Sequence, residues 1–367
     1  MKINMKIVQT HQTIVNHDAI GNDIEVMHKI LSQKHESKIY ANNTLHKKID
    51  FIEENEFYNF IDDPDTIIIY HHSSFWEEGE SFLKKAKGKI IIRYHNITPS
   101  EYFASYNDHH YAQCKHGREQ TIRFAKDFPQ AFWLSDSEYN TLDTDGVSNE
   151  RKAILPPFNK IEEWANELPD ENLLSKLLNS TDVNLLFTGR IAPNKGHLFL
   201  LDIINAYRIN YDNNIKLRII GKFDEGLLGY NEQINRKIID LGLKNNVEFV
   251  GEISDALLSS YYLGSDFFVC VSEHEGFCVP IPEAQYFGLP IIAKNSSAVP
   301  ETTGLNQIIL NEDPFEYASA IHLLYKNRIY YEYLRNNGLL NFNSRFSLEI
   351  LKERFKNIFK QYLSINI

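Results

Sequence analysis

The sequence predicts an α/β protein built from two βαβ domains in tandem. Three observations carry this. The 367 residues exceed what one hydrophobic core fills and suit two domains of roughly 150–200 residues each. Short β-branched runs alternate with longer amphipathic segments, the pattern of parallel strands joined by crossover helices. The series stops in a polar stretch, residues 158–182, and then begins again. The boundaries that follow are 1–160 for the first domain, 161–345 for the second, and a C-terminal helix within 346–367.

In the first domain, strands are expected at MKIVQT (5–10), KIYAN (38–42), TIIIYHH (66–72), KIIIRYHN (89–96), AFWLSDS (131–137) and AILPP (153–157). Several are apolar at consecutive positions, as strands covered on both faces must be. Segments 18–34 and 109–127 are long enough to be crossover helices. Residues 158–182 carry no strand pattern and read as a linker with helical pieces. The second domain repeats the scheme with NLLFTGRI (184–191), IKLRIIG (215–221), VEFVGE (247–252), DFFVCVS (266–272), PIIAKN (290–295) and QIIL (307–310). Helices are expected at 196–209, 226–243, 254–264 and 280–288. The last run, 347–363, sets Leu348, Leu351, Phe355, Ile358, Phe359 and Tyr362 on one helical stripe that must be buried. Ser347 is its candidate N-cap, although Glu349 stands one position short of a capping box.

Composition narrows the function. Apolar residues make up 43% and charged residues 24%, the balance of an ordinary globular protein. The formal net charge of −11 argues against nucleic acid, whose phosphates need a basic surface. Cys114, Cys270 and Cys278 are scattered, without metal-ligand spacing, and fit reduced thiols in a cytoplasmic protein. The N-terminal MKINMKIVQT has too short an apolar run for a secretory signal, and no stretch approaches a membrane span.

The stretch EGFCVPIPEAQYFGLPIIA carries the strongest chemistry. It follows the strand DFFVCVS, so Glu275 lies in a loop at a strand's C-terminal end, where open parallel sheets bind ligands. Gly276 lets the backbone come close to a ligand, and Pro280 and Pro282 suit the first turn of the next helix. Glu283 falls in that turn. A carboxylate accepts two hydroxyl donors at once, which suits a sugar diol. Each glutamate alone is better explained by favourable charge at a helix start. The whole string is not.

The second element is FTGRIAPNKGHLFLLDII. Arg190 and Lys195 stand at a strand–helix corner and suit a diphosphate, Arg by bidentate bonds and Lys as a point charge. In isolation they would be solvated surface charges. The third is KIIIRYHNITP, where a buried strand ends at His95-Asn96. His71-His72 end the preceding strand; as adjacent strand residues they point to opposite faces and cannot easily share a metal.

Together these motifs resemble glycosyltransferase family 4, whose retaining members have the GT-B fold. The likeness is closest over 184–304 and extends along nearly the whole chain. It implies two Rossmann-like domains facing across a cleft, with the C-terminal helix crossing back to the first. It further implies acceptor binding by the first domain and nucleotide-sugar binding by the second. Glu283 would hold the donor ribose and Glu275 the transferred sugar, with the backbone of Gly276, Phe277 and Cys278 along the sugar and its phosphate. Arg190 and Lys195 would bind the diphosphate. His95, in the place of the family's HN or HD site, would face the donor sugar.

The implied reaction is retaining transfer of a hexosyl unit from a nucleotide-diphosphate sugar to a saccharide or lipid-linked saccharide, in the synthesis of surface polysaccharide. No cofactor and no metal are expected, since Arg190 and Lys195 can neutralise the diphosphate. The triplets Asp63-Pro64-Asp65 and Asp143-Thr144-Asp145 read as turns rather than metal motifs. A lipid-linked acceptor would bring a cytoplasmic protein to the inner face of the membrane. Lys84, Lys85, Lys87 and Lys89 offer a basic contact there, although a solvated helix end accounts for them as well. Two departures from the family pattern stand out. The loop THQTIVNHDAIGND after the first strand has only Gly21 in place of a Gly-Gly run, with Asn22 as a substitute contact. Ser296-Ser297 replace another Gly-Gly pair. A nucleotide-sugar epimerase and a non-catalytic nucleotide-sugar-binding protein are the alternatives. A dinucleotide-dependent dehydrogenase is disfavoured because no G-x-G-x-x-G follows a strand.

Overall fold

A computed structural model describes residues 5–15, 18–46 and 49–367. The chain divides into two compact units. The first comprises residues 1–100, 112–160 and 348–367, and the second residues 101–111 and 161–347. Among the described residues each unit holds one six-stranded sheet whose neighbouring strands are all parallel.

The first sheet consists of β1 (Lys6–Val15), β2 (Glu36–Leu45), β3 (Thr66–His72), β4 (Lys89–Tyr94), β5 (Phe132–Ser135) and β6 (Lys152–Ile154), in the order β2-β1-β3-β4-β5-β6. Consecutive apolar residues serve both faces. Ile67 and Ile69 enter one core, while Ile68 and Tyr70 enter the other. β1 and β2 run further than their sequences suggest. β1 pairs with β3 only as far as Thr10↔Tyr70, but with β2 out to Val15↔Leu45. The expected loop after residue 10 is therefore largely a two-stranded extension; Asn16 and His17 lie outside the described residues. Its glycine has a steric reason. A Cβ on Gly21 would sit 2.5 Å from the Val15 carbonyl oxygen, so only glycine lets the helix Ala19–Leu31 start this close to the strand.

The C-terminal helix Leu348–Leu363 belongs to the first unit. Leu351, Phe355, Ile358 and Phe359 are buried in one core with Ile67, Phe132, Leu134 and Phe158. Tyr362 stays 38% exposed, with its ring against Phe132. The Ser347 hydroxyl, the candidate cap, donates back to the Asn343 carbonyl of the preceding helix.

The second sheet consists of β7 (Val183–Thr188), β8 (Ile215–Ile220), β9 (Val247–Gly251), β10 (Phe267–Cys270), β11 (Ile291–Lys294) and β12 (Ile308–Leu310). Its order is β12-β11-β10-β7-β8-β9. The stretch expected as a linker is folded. Asp170 caps the helix Glu171–Leu178, and Leu177 and Trp164 join the core beneath β10 and β11. Residues 101–111 group with this unit because their side chains bond within it. Asn107 Nδ2 donates to the Gly226 carbonyl at 2.7 Å, and Tyr106 Oη to Gln233 Oε1 at 3.0 Å. Phe346 does so by packing on Phe277.

Candidate active site

In a doubly wound sheet, loops diverge where the strand order reverses, leaving a crevice at the strands' C-terminal ends. In the second unit that point lies between β7 and β10. The loop after β7 carries Arg190 and Lys195, and the loop after β10 carries Glu275. Lys195 Nζ lies 2.7 Å from Glu275 Oε1, which also accepts from Ser272 Oγ at 2.7 Å. Burial alone would lower the Lys195 pKa, but the Glu275 carboxylate prevails and raises it. The pair is 22% and 9% exposed at the side chains, a fixed cation and anion near the sheet edge.

Glycine makes this corner possible. Gly196 has φ 74°, and a Cβ there would fall 2.2 Å from the Val271 carbonyl oxygen at the end of β10. The loop of Glu275 is braced from the other side by Ser296 and Ser297. The Glu275 N–H donates to Ser297 Oγ at 2.8 Å, Ser296 Oγ donates to the Ser272 carbonyl, and Ala298 N–H donates to the Glu275 carbonyl at 3.3 Å. Sequence reading marked these serines only as a departure; their hydroxyls hold the loop.

Phe277 and Cys278 turn their side chains inward. Phe277 packs with Ile161, Phe342 and Phe346, and Cys278 Sγ lies 3.7 Å from Cys270 Sγ. Contact with the Cys270 thiol, then burial, pushes the Cys278 thiol well above its usual range. Gly276 stands half-buried between Glu275 and this anchored pair. Pro280 begins the helix Pro280–Tyr286, and Glu283 lies in its first turn. Glu283 Oε2 accepts from Tyr262 Oη at 2.7 Å, and Tyr262 Oη meets Thr188 Oγ1 at 3.0 Å. Burial raises the Glu283 carboxyl to about 7.

Arg190 is not drawn into the Lys195–Glu275 pair. Its side chain is 53% exposed, with Nη1 3.7 Å from Asp224 Oδ2. Asp224 also faces His110 Nε2 at 2.9 Å. Burial opposes the charge on Asp224, yet hydrogen bonds from His110 and the Gly226 N–H hold its carboxyl below the usual range. Sequence reasoning missed Asp224 and His110, since their positions carry no local motif.

His95 lies in the first unit, so the structure gathers the candidates into separate places. It follows β4, and Asn96, with φ 72°, turns the chain away just after it. The His95 side chain is 4% exposed. Its Nε2 lies 2.9 Å from His71 Nδ1, and its Nδ1 lies 3.1 Å from Asp136 Oδ2. His71 and His72 do point to opposite faces: His72 Nε2 reaches Thr121 Oγ1 at 2.9 Å on the other side. His71 meets His95 and, from β1, Gln9 Oε1 at 3.1 Å, with Asp23 Oδ2 of the helix Ala19–Leu31 3.9 Å from its Nδ1. Ligand atoms of Asp23, His71 and His95 fall within 4.8 Å of one another. A cation fits this group poorly, because Arg93 Nε already lies 2.9 Å from Asp23 Oδ2 and the two imidazoles bond to each other.

The two Asp triplets differ. Asp63 makes a turn, accepting from the Asp65 N–H at 3.0 Å. Asp143 is an anchor, bound by Arg118 Nη2 at 2.6 Å and by Tyr94 Oη at 2.8 Å. In the basic run, Lys84 pairs with Glu80 and Lys87 with Asp62. Among the described residues no helix is long and apolar enough to cross a membrane.

The two doubly wound sheets have the GT-B architecture of glycosyltransferases, and residues 170–340, which hold the Lys195–Glu275 corner, match the family described as "Glycosyl transferases group 1". Particular relatives can be named. The chain is 24% identical over 186 residues to the capsular polysaccharide biosynthesis glycosyltransferase CapH of Staphylococcus aureus, covering 49% of each. It is 32% identical over 152 residues to a GDP-mannose-dependent alpha-mannosyltransferase of Mycolicibacterium smegmatis, covering 39% of this chain and 35% of that one. The matched stretch thus spans about half or less of these relatives' lengths. In fold, the crystal structure of Anabaena Alr3699/HepE in complex with UDP-glucose matches 99% of this chain and 100% of its own, with a TM-score of 0.75 at 15% identity.

Proposed function

We propose that the chain is a retaining glycosyltransferase that moves a hexosyl unit from a nucleotide-diphosphate sugar to a saccharide or lipid-linked saccharide, in the making of surface polysaccharide. The observation that carries this is the Lys195–Glu275–Ser272 cluster at the switch point of the second sheet. In this reading Arg190 and Lys195 stabilise charge growing on the leaving diphosphate, as preorganised cations do without reorganising at the moment of reaction. Lys195 Nζ and Ser272 Oγ both donate to Oε1 of the Glu275 carboxylate, and Oε2 is the oxygen we assign to a hydroxyl of the transferred sugar. Glu283 takes the ribose diol, and the backbone of Gly276, Phe277 and Cys278 lines the sugar and phosphate. The first unit binds the acceptor. The reaction uses no metal, since the two cations supply the charge.

The named relatives support the substrate class. CapH is a capsular polysaccharide glycosyltransferase, and the HepE structure holds UDP-glucose. The lysine run gives little support to membrane contact, because two of its four members are paired locally.

Product analysis tests the reading. The chain is incubated with UDP-, GDP-, ADP- and TDP-sugars and a panel of saccharide acceptors, and products are read by mass and by the anomeric coupling in NMR. Transfer with the donor's anomeric configuration is expected. An inverted product would overturn retention. An epimerised nucleotide sugar formed without acceptor would favour the epimerase, and donor binding with no nucleoside diphosphate released would favour a binding protein.

A further inference from the structure

The switch point of the first sheet, between β1 and β3, holds a buried polar group that the proposed chemistry does not yet use. Its hydrogen-bond donors can be assigned from one end. A backbone carbonyl only accepts, so the Gln9 side-chain atom 3.2 Å from the Ile24 carbonyl is the amide nitrogen. Gln9 Oε1 then faces His71 Nε2 at 3.1 Å, and that nitrogen must donate. His71 is fully enclosed, and burial above all drives its pKa well below the usual value, so it carries one proton. With that proton on Nε2, Nδ1 is bare. Its partner at 2.9 Å, His95 Nε2, must therefore donate. His95 Nδ1 meets the Asp136 carboxylate at 3.1 Å and needs a proton too.

Charge counting reaches the same end independently. Arg93 bridges Asp23, through Nε at 2.9 Å, and Asp136, through Nη2 at 2.8 Å. Two carboxylates against one guanidinium would leave a buried net negative charge, which is strongly disfavoured. A second cation at His95 makes the group neutral.

We propose that His95 is a doubly protonated imidazolium, locked between His71 and Asp136, with His71, oriented by Gln9, as the acceptor of one of its protons. The groups facing it are His71 from β3, Arg93 on its own strand, Asp23 from the helix after β1, Asp136 after β5, and more distantly Asp18 and His11. The consequence for transfer, which rests on the proposed glycosyltransferase reading, is that His95 acts as a fixed cation at the end of β4. It cannot take the acceptor's proton.

The test is a long-range 1H–15N spectrum of the full chain labelled with 15N-histidine at pH 7.5, with His95 and His71 assigned by loss of signals in His95→Asn and His71→Asn. Both His95 nitrogens are expected in the protonated range, with His71 protonated on Nε2 alone. A bare nitrogen on wild-type His95 would overturn the assignment, and so would a His71 ring protonated on Nδ1 instead of Nε2. The spectrum needs no substrate, so its failure leaves glycosyl transfer standing, and absence of transfer leaves the charge assignment standing.

Discussion

Glu275 and Glu283 are eight positions apart in sequence and have opposite electrostatic settings. Glu275 is paired with Lys195, whereas Glu283 has a tyrosine hydroxyl and a pKa raised to about 7. The first setting predicts a catalytic loss. Replacing Glu275 or Lys195 by alanine should lower transfer by about 10²–10³-fold, the usual cost of removing a preorganised charge, while far-UV circular dichroism stays native. The second predicts a pH dependence. A carboxyl whose folded pKa exceeds its unfolded value contributes stability that is present at low pH and lost as pH rises from about 4.5 through about 7. Glu283→Gln, a mimic of the protonated form, should therefore gain in melting temperature over wild type between pH 5 and pH 8. A constant difference across that range would contradict the raised pKa. Because a ribose diol is better held by the carboxylate, donor affinity should also rise from pH 6 to pH 8.

The elements explain why part of the site was legible in sequence and part was not. Strands with consecutive apolar residues, such as Thr66–His72 with all seven residues buried, announce themselves by composition. So does the β10–helix corner, because Pro280 suits the first turn of the helix as well as being a motif letter. The extension of β1 to Val15 is different: it depends on pairing with β2, a long-range fact that local alternation does not encode. Asp143, Asp224 and Asp136 were hidden for the same reason. Each matters through partners such as Arg118, His110 and Arg93, brought in from elsewhere in the chain. Two predictions belong to elements. Gly196→Ala should destabilise the second unit by about 2 kcal/mol or more, from positive φ and a clash with backbone, visible as a fall in melting temperature. Phe355→Ala, which empties the space against Phe158 and Phe359, should cost the first unit about 3–5 kcal/mol in denaturant unfolding. A change below about 1 kcal/mol would contradict the buried stripe.

At the scale of the molecule, each unit places its polar group where its own strand order reverses, between β1 and β3 in the first and between β7 and β10 in the second. The second holds the cation and carboxylates suited to a nucleotide sugar, and the first a neutralised buried group ending at His95. Glycosyl transfer requires the donor site of the second unit. The direct measurement is calorimetric titration of UDP-, GDP-, ADP- and TDP-sugars into wild type, Lys195→Ala and Glu275→Ala. Binding of one nucleotide class in the range of about 1 μM to 1 mM, weakened at least about tenfold in Lys195→Ala (some 1.4 kcal/mol), is the predicted result. Binding unchanged in both variants, or absent across the whole panel, would contradict it.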